Sequence, residues 1–394
     1  MSIAEYNVRK LYWISALTSM WFVAGNWLYF YRRYMHDGQL GILDGVTFAI
    51  GFIVEIPSGT LADRFGRKKI LVLGLILNVV GFLLHAVGGY KLIFIAQTCL
   101  TVGWAFVSGA DDALVYDSLQ VENKESIWKK VIAKKYQITI GVTLLSYIAG
   151  AVLYSIWFRL TFIVEGIVII PAVFIALSMK ENIIKEHKST NFMATLKDGM
   201  TSLFKGKNIT FALIALIFLG VGYSFDFGTL TTFNLDRVGV HASGQAITLT
   251  IAGLLSIFIL SKLENIRSIR DEKLGLFVTV TAMTLSILLL GLASSLLIGV
   301  MAIMLVRICS NTLLPWLNDL VQHNVSSRHR ATALSSLAVL YKIPYILIAP
   351  IAGTMSQNGQ LKSLLYFISS IMSTGIVVYL LLSFNSYLNK KAKI

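Results

Sequence analysis

Charge is what this sequence holds least of. Asp, Glu, Lys and Arg make up 14% of its 394 residues, against about 25% in a soluble domain. The deficit runs along the whole chain, which excludes a soluble domain tethered by one anchor. Cysteine is nearly absent, and Cys99 and Cys309 both fall inside apolar runs. A disulfide framework and a Cys-based metal site are therefore not expected. The six histidines are scattered, and only His85 lies well inside an apolar run. No G-x-x-x-x-G-K-S/T segment occurs, so ATP is not expected to drive this chain directly. No grouping of nucleophile, base and orienting residue stands out. The chain is not read as an enzyme, and neither a metal nor an organic cofactor is expected. Arg9 and Lys10 precede the first apolar run, but no small-residue cleavage site follows it, so a removed signal peptide is not expected.

What the chain has in abundance is apolar length. Hydrophobic residues make up 56% of it, and the mean hydropathy is +0.73. Twelve apolar runs can be marked, at 11–31, 40–62, 70–90, 92–117, 136–157, 160–179, 209–233, 243–262, 274–294, 296–322, 333–355 and 362–384. Each is about 20 residues, the length an α-helix needs to cross about 30 Å of hydrocarbon. The expectation is an all-α, multi-pass membrane protein with the lipid bilayer as its solvent.

The net charge of +14 does not mark a nucleic-acid binder, because the cations are not one patch. Counted along twelve spans, 26 of the 34 Lys and Arg residues fall in alternate loops and at the termini. Six fall on the opposite side (Arg32, Arg33, Lys91, Arg159, Arg237 and Lys362), and Arg307 and Lys342 lie inside spans. Cytoplasmic loops carry the excess of cations, so both termini are expected in the cytoplasm and the protein in the cell membrane.

The longest hydrophilic stretch, 181–208, is lysine-rich and proline-free. It reads as a cytoplasmic linker, with an amphipathic helix around Phe192–Phe204, joining six-span bundles at 1–180 and 209–394. Two internal echoes suggest duplication. Ile95-Ala96-Gln97-Thr98-Cys99 matches Leu305-Val306-Arg307-Ile308-Cys309, and the basic loop after the second run has a degraded counterpart at Leu260–Glu264 with Arg267 and Arg270. Paired halves suit a transporter that binds its substrate at mid-membrane.

That basic loop is Gly59-Thr60-Leu61-Ala62-Asp63-Arg64-Phe65-Gly66-Arg67-Lys68-Lys69. It resembles the signature of the major facilitator superfamily, found between the second and third spans. The resemblance implies twelve transmembrane helices in two pseudo-symmetric six-helix bundles, and secondary transport by a chain working as a monomer. Ser108-Gly109-Ala110-Asp111-Asp112-Ala113-Leu114-Val115-Tyr116-Asp117-Ser118-Leu119 also resembles a stretch in a bacterial, drug-efflux-like branch. In the loop, Gly59 is read as permitting close helix approach and Gly66 as permitting a sharp turn. Asp63 can bond Arg67 and the amino-terminal end of a neighbouring helix. By resemblance that neighbour is the start of the eleventh span near Thr332, and the contact is a gate. Arg64, Lys68 and Lys69 are read as gate members or as topology markers.

Charge inside hydrocarbon is costly, so each instance is a functional candidate. Asp44, Thr47, Gly51, Glu55 and Ser58 share one face of the second span. Glu55 and Lys342 lie at similar depth on spans that face each other in facilitator proteins, which suggests an ion pair; separate solvation is the alternative. Gln97, Trp104 and Asp111 fall at heptad spacing on the fourth span, with Asp112 and Asp117 following. Asp111 and Asp112 are read as proton- or cation-binding, or as structural partners of the basic loops. Arg307 and Asn311 share a face with Asn318; a buried arginine keeps its charge and needs a carboxylate, an anion or water. Tyr223, Asp226 and Phe227 cluster on the seventh span, making Asp226 the candidate partner of Arg307. By resemblance, spans one, four, seven and ten line the cavity, to which the first adds Trp21, Asn26 and Trp27. The tryptophans have packing or interfacial anchoring as their plainer reading. Glu165, near the outer end of the sixth span, is read as reaching water.

Aromatics with few acids suit an amphipathic or cationic ligand. The expected function is proton-coupled efflux of amphipathic small molecules, drugs included, with the proton as coupling ion and Asp226, Asp111, Asp112, Glu55 and Asp44 as its carriers. The alternative is export or import of a polar metabolite such as a sugar, siderophore or amino acid, which Arg307 and Asn311 favour. A receptor or lipid-handling protein fits less of the sequence. Two departures touch the proton reading: Gln97 stands where superfamily proton antiporters commonly carry arginine, and Gly141–Gly150 lacks the proline of their fifth-span motif.

Overall fold

The computed structural model describes residues 2–181, 198, 200, 201, 203, 204, 208–226, 228–263, 272–325 and 330–391. Among them every regular element is helical. In chain order these are α1 (Ile3–Thr18), α2 (Trp27–Tyr31), α3 (Asp37–Phe65), α4 (Arg67–Val87), α5 (Tyr90–Val107), α6 (Ala110–Val121), α7 (Trp128–Ile156) and α8 (Leu160–Ser178). After them come α9 (Ile209–Ile214), a π-turn (Ala215–Leu219), α10 (Gly220–Asp226), α11 (Thr229–Arg237), α12 (Ala242–Leu263), α13 (Glu272–Leu292), α14 (Leu296–Asn324), α15 (Arg330–Gln357) and α16 (Leu361–Lys391). Most of the 181–208 linker, most of its expected amphipathic helix, and the echo at 264–270 lie outside the described residues.

Among the described residues, eleven helices are long and apolar enough to cross a membrane. The expected first span is the exception. Residues 11–31 do not form one helix: α1 ends at Thr18, and α2 resumes at Trp27 for five residues. The fourth span is also interrupted. Ser108 leaves the helical conformation with ψ 116°, Gly109 takes a left-handed φ of 81°, and Asp111 therefore sits on a separate helix from Gln97 and Trp104. The seventh span breaks between α10 and α11.

The basic loop needs correcting too. α3 runs on as helix through Gly59, Asp63 and Arg64 to Phe65. Only Gly66 departs, with φ 101°, and α4 begins at the next residue. A single residue in a conformation that costs glycine nothing is enough to reverse the chain. Gly59 does not mediate close approach, since a side chain there would meet nothing within 4 Å.

Contacts group the chain into two units. The first comprises Met1–Met35, Val46–Thr190 and Ala242–Thr250; the second comprises His36–Gly45, Asn191–His241 and Ile251–Ile394. In the first, α4 lies along α5 and α8, and α1 packs on α6, α7 and α8. In the second, α13 lies along α14 and α16, and α10 on α15. The start of α3 belongs to the second unit because Gly41 lets two backbones meet: a side chain there would stand 2.9 Å from the Gly353 Cα on α15. Many large apolar side chains face outward, Leu145, Phe174 and Phe367 among them. In a bilayer these contact lipid, and the internally bonded helix is the backbone form that lipid tolerates.

Candidate functional sites

The first site is the junction of α3 and α4. Arg67 opens α4, and its guanidinium lies 2.6 Å from Asp117 on α6 and 3.6 Å from Asp63, one turn back on α3. Asp63, expected to be the hub, is the longer contact; Arg67 is the hub and Asp117 its main partner. A carboxylate does sit on a helix amino terminus here, but it belongs to Glu181, which accepts from the Arg67 backbone N–H at 2.5 Å. The exposed N–H groups and dipole of a first turn favour an anion there. Arg64 stacks over Phe65, and neither it nor Lys68 makes an ion pair among the described residues. Thr332 lies in the other unit, and the side chain of Arg330 lies outside the described residues.

Close by, the Lys135 ammonium on α7 lies 2.7 Å from both Asp111 and Asp112. Asp111 is 6% exposed, whereas the Asp112 side chain is 37% exposed. One cation between two carboxylates offsets the repulsion between them and joins α6 to α7. The structural alternative offered for these acids is thus the geometry present. On the second-span face, Thr47 and Ser58 are buried, and Ser58 bonds the Glu55 carbonyl at 2.7 Å. Glu55 is in the first unit and Lys342 in the second.

The break in the first span is held by its neighbours. The Trp21 N–H donates to Ser146 at 2.8 Å, Thr143 donates to the Ser19 carbonyl at 2.8 Å, and the Val23 N–H donates to Glu165 at 3.3 Å. Asn26 is 1% exposed and spends its amide on the carbonyls of Phe22 and Gly150, so it holds backbone rather than facing open space. Glu165 does not reach water; it is 3% exposed. Trp21 meets Trp104 edge to face at 6.3 Å, and Trp27 meets Tyr31 at 5.8 Å. The Tyr31 hydroxyl donates to Gln97 at 3.2 Å and lies 2.8 Å from His85 Nε2. No residue spacing linked Tyr31 to His85, 54 positions apart.

The break in the seventh span has opposite chemistry. The Arg307 guanidinium on α14 donates to the carbonyls of Phe225 and Asp226 at 3.0 and 3.2 Å. These are the last carbonyls of α10, which have no helical partner. The Asp226 carboxylate lies 4.0 Å from Arg307 and accepts from Ser310 at 2.6 Å. Its second oxygen is buried without a hydrogen-bond partner. The expected pairing is present, and the helix end supplies the rest of Arg307's compensation. Tyr223 lies against Tyr341 and Tyr345 at 5.4 and 5.6 Å, and Tyr345 donates to Asp44. Asn311 donates to Ser256 at 3.2 Å. Phe227 lies outside the described residues.

A family profile described as Major Facilitator Superfamily matches residues 11–349. The chain belongs to the major facilitator superfamily. The chain is thus a member of a family of membrane transporters, which are not enzymes. It is 26% identical over 215 residues to an uncharacterized transporter of Buchnera aphidicola subsp. Schizaphis graminum, covering 51% of this chain and 53% of that one. It is also 26% identical over 223 residues to Multidrug resistance protein 2 of Bacillus subtilis, covering 54% of each. The match thus spans about half the length of these relatives. Among solved structures, the nucleoside transporter NupG superposes with a TM-score of 0.74 at 13% identity, covering 97% of this chain and 99% of that one. The POT family transporter PepTSo superposes with a TM-score of 0.73 at 9% identity, covering 98% of both. At such identities the likeness speaks for the fold.

Proposed function

We propose that this facilitator is a secondary active transporter of the cell membrane, monomeric, with both termini cytoplasmic, which exports amphipathic small molecules in exchange for protons. The carrying observation is the Asp226–Arg307 pair at the seventh-span break, where the carboxylate oxygen facing Arg307 is buried and accepts no hydrogen bond. A carboxyl facing a fixed cation can exchange a proton, and its charge then decides how firmly the broken helix end is held. The aromatic pairs Trp21–Trp104 and Tyr223–Tyr345 offer apolar, cation-tolerant surface, and the Bacillus relative's name points the same way. The Asp63–Arg67–Asp117 cluster is the proposed inner latch.

The test is uptake into proteoliposomes under an imposed pH gradient, across a panel of lipophilic cations and neutral amphiphiles. Asp226→Asn should abolish proton-driven accumulation while leaving gradient-free exchange. Unchanged accumulation in that variant would overturn the reading. The second reading, a polar or anionic metabolite, is favoured by the guanidinium of Arg307. It predicts that Arg307→Gln removes transport of such a solute, and that no lipophilic cation is carried.

A further inference from the structure

The two broken spans are held by ionisable side chains of opposite kind, and among the described residues only one of the two has a counter-ion. At the seventh-span break Arg307 is offset by Asp226. At the first-span break Glu165 stands without a cation. It is 3% exposed, it accepts from the Val23 N–H at 3.3 Å, the Phe22 amide is also within its reach, and it forms no ion pair among the described residues. Its surroundings hold no candidate. On α1 and the break there is no acid or base between Trp13 and Tyr29, and α12, which meets the break where Ala246 touches Gly25, has none between Ala242 and Ser261. On α7 the nearest titratable groups in sequence to Ser146 and Gly150 are Tyr147 and Tyr154. On α4 it is His85, whose ring stacks on Phe162 at 5.1 Å, one turn before Glu165. Arg159, at the start of α8, donates to Tyr34 and lies over Phe158. Arg32 caps α2, and Arg33 after it lies over Phe158, while Arg9, Lys10, Arg67 to Lys69 and Lys129 to Lys135 sit at the far ends of α1, α4 and α7.

We propose that Glu165 is a proton-binding site that controls the hinge in the first span. An ionised carboxylate is acceptor-only and satisfies the N–H groups freed where α1 unwinds. Protonation turns one oxygen into a donor and weakens its hold on those amides. The proton comes from water and returns to it, with no other bond made or broken. A change of charge state is thereby written into the backbone of 19–26, the segment that carries Trp21 and places it against Trp104. Glu165 is thus a positioning residue for that wall. Nothing similar acts on the plain helical spans, whose amides are already bonded within the helix. The inference adds a second proton site to the proton-coupled reading of function and rests on it for its role in transport. Its structural core can be tested without any substrate.

The experiment is hydrogen–deuterium exchange of the full-length protein in detergent or nanodiscs, read on peptides covering 19–27 and corrected for the intrinsic pH dependence of exchange. In the wild type the opening equilibrium of this segment should rise as pH falls, by up to about tenfold per pH unit for one linked proton. Glu165→Gln keeps an acceptor oxygen for Val23 but cannot titrate, so its profile should be flat with pH. Glu165→Asp should restore a pH response with a shifted midpoint, which a purely structural role would not produce. His85→Gln should leave the wild-type response in place. A response that survives in Glu165→Gln, or disappears in His85→Gln alone, overturns the proposal. If Glu165→Gln fails to fold, a carboxyl infrared band that titrates in the wild type and moves in Glu165→Asp takes its place; no such band would also overturn it. Loss of the exchange response sinks this inference alone. A normal response with no proton-driven uptake sinks the transport reading and leaves the site standing.

Discussion

Tyr345 on α15 donates a 2.5 Å hydrogen bond to the carboxylate of Asp44 on α3. Tyr345 is 2% exposed, and about three turns further along α15 Ser356 donates to Asp37 at 2.6 Å. The amino-terminal turns of α3 are therefore tied to α15 by two carboxylates and by glycine-mediated backbone contact. Tyr345→Phe removes the donor and leaves Asp44 short of a partner. That should cost about 1–2 kcal/mol, seen as a lower thermal unfolding midpoint in detergent. Asp44→Asn, which can still accept the bond, should lose less. Equal losses would remove the hydroxyl from the account.

Arg67 and Lys68 are adjacent cations in one motif, yet they should behave differently. The Arg67 and Asp117 side chains are 13% and 11% exposed at a separation of 2.6 Å. Breaking a buried pair leaves an uncompensated charge and costs about 3–5 kcal/mol. Arg67→Ala should lower the unfolding midpoint sharply. Lys68→Ala should stay within about 0.5 kcal/mol of the parent. Comparable shifts for the two variants would mean that the motif acts through net charge alone.

The two glycines of the motif should separate just as clearly. Gly59 lies inside a helix with open space around it, so Gly59→Ala should be neutral or stabilising by about 0.5–1 kcal/mol. Gly66 has φ 101°, and a side chain there would stand 3.0 Å from the Glu181 carboxylate. Gly66→Ala should cost at least about 1–2 kcal/mol. Thermal melts of the two variants in parallel decide the matter.

At the start of α1, hydrogen bonds from Ser2, from the Ala4 N–H and from Lys124 hold Glu122 down from its ordinary value of 4.5 to about 2. A depressed carboxyl contributes its stabilisation above its ordinary value and loses it as pH falls toward its folded one. Anchoring of the amino terminus should therefore be complete at neutral pH and fade between about pH 4.5 and about pH 2. Proteolysis or deuterium exchange of residues 2–6 should show this fading in the wild type. In Glu122→Gln the segment should already be loosened at neutral pH. An unaltered segment in that variant would place the anchor elsewhere.

Much of this architecture could be read without coordinates. Runs such as 70–90 and 274–294 announced helices α4 and α13, because a bilayer accepts only long apolar stretches with internally bonded backbones. Asp226 and Arg307 could be paired in advance, since each is a charge inside a span and each needs an opposite. The breaks were less legible. Residues 19–26 are as apolar as their flanks, and the polar atoms that stabilise the unwound backbone, Ser146 and Glu165, lie more than a hundred residues away. Tyr345, Lys135 and Glu181 gave no local sign of their roles. Tyrosine and lysine are common, and Glu181 follows the last residues of a span where any polar residue would fit.

The sequence by itself determined the class of protein, the stretches that cross the membrane and the residues too polar to be there by default. Those follow from transfer free energies that each residue carries wherever it is placed. Only the tertiary structure decided that Arg67 meets Asp117 before Asp63, that Arg307 caps a helix end as well as facing Asp226, and that Glu165 supports a break rather than reaching water. Those outcomes depend on which helices lie side by side and where each one unwinds, and contacts set both between residues distant in the chain.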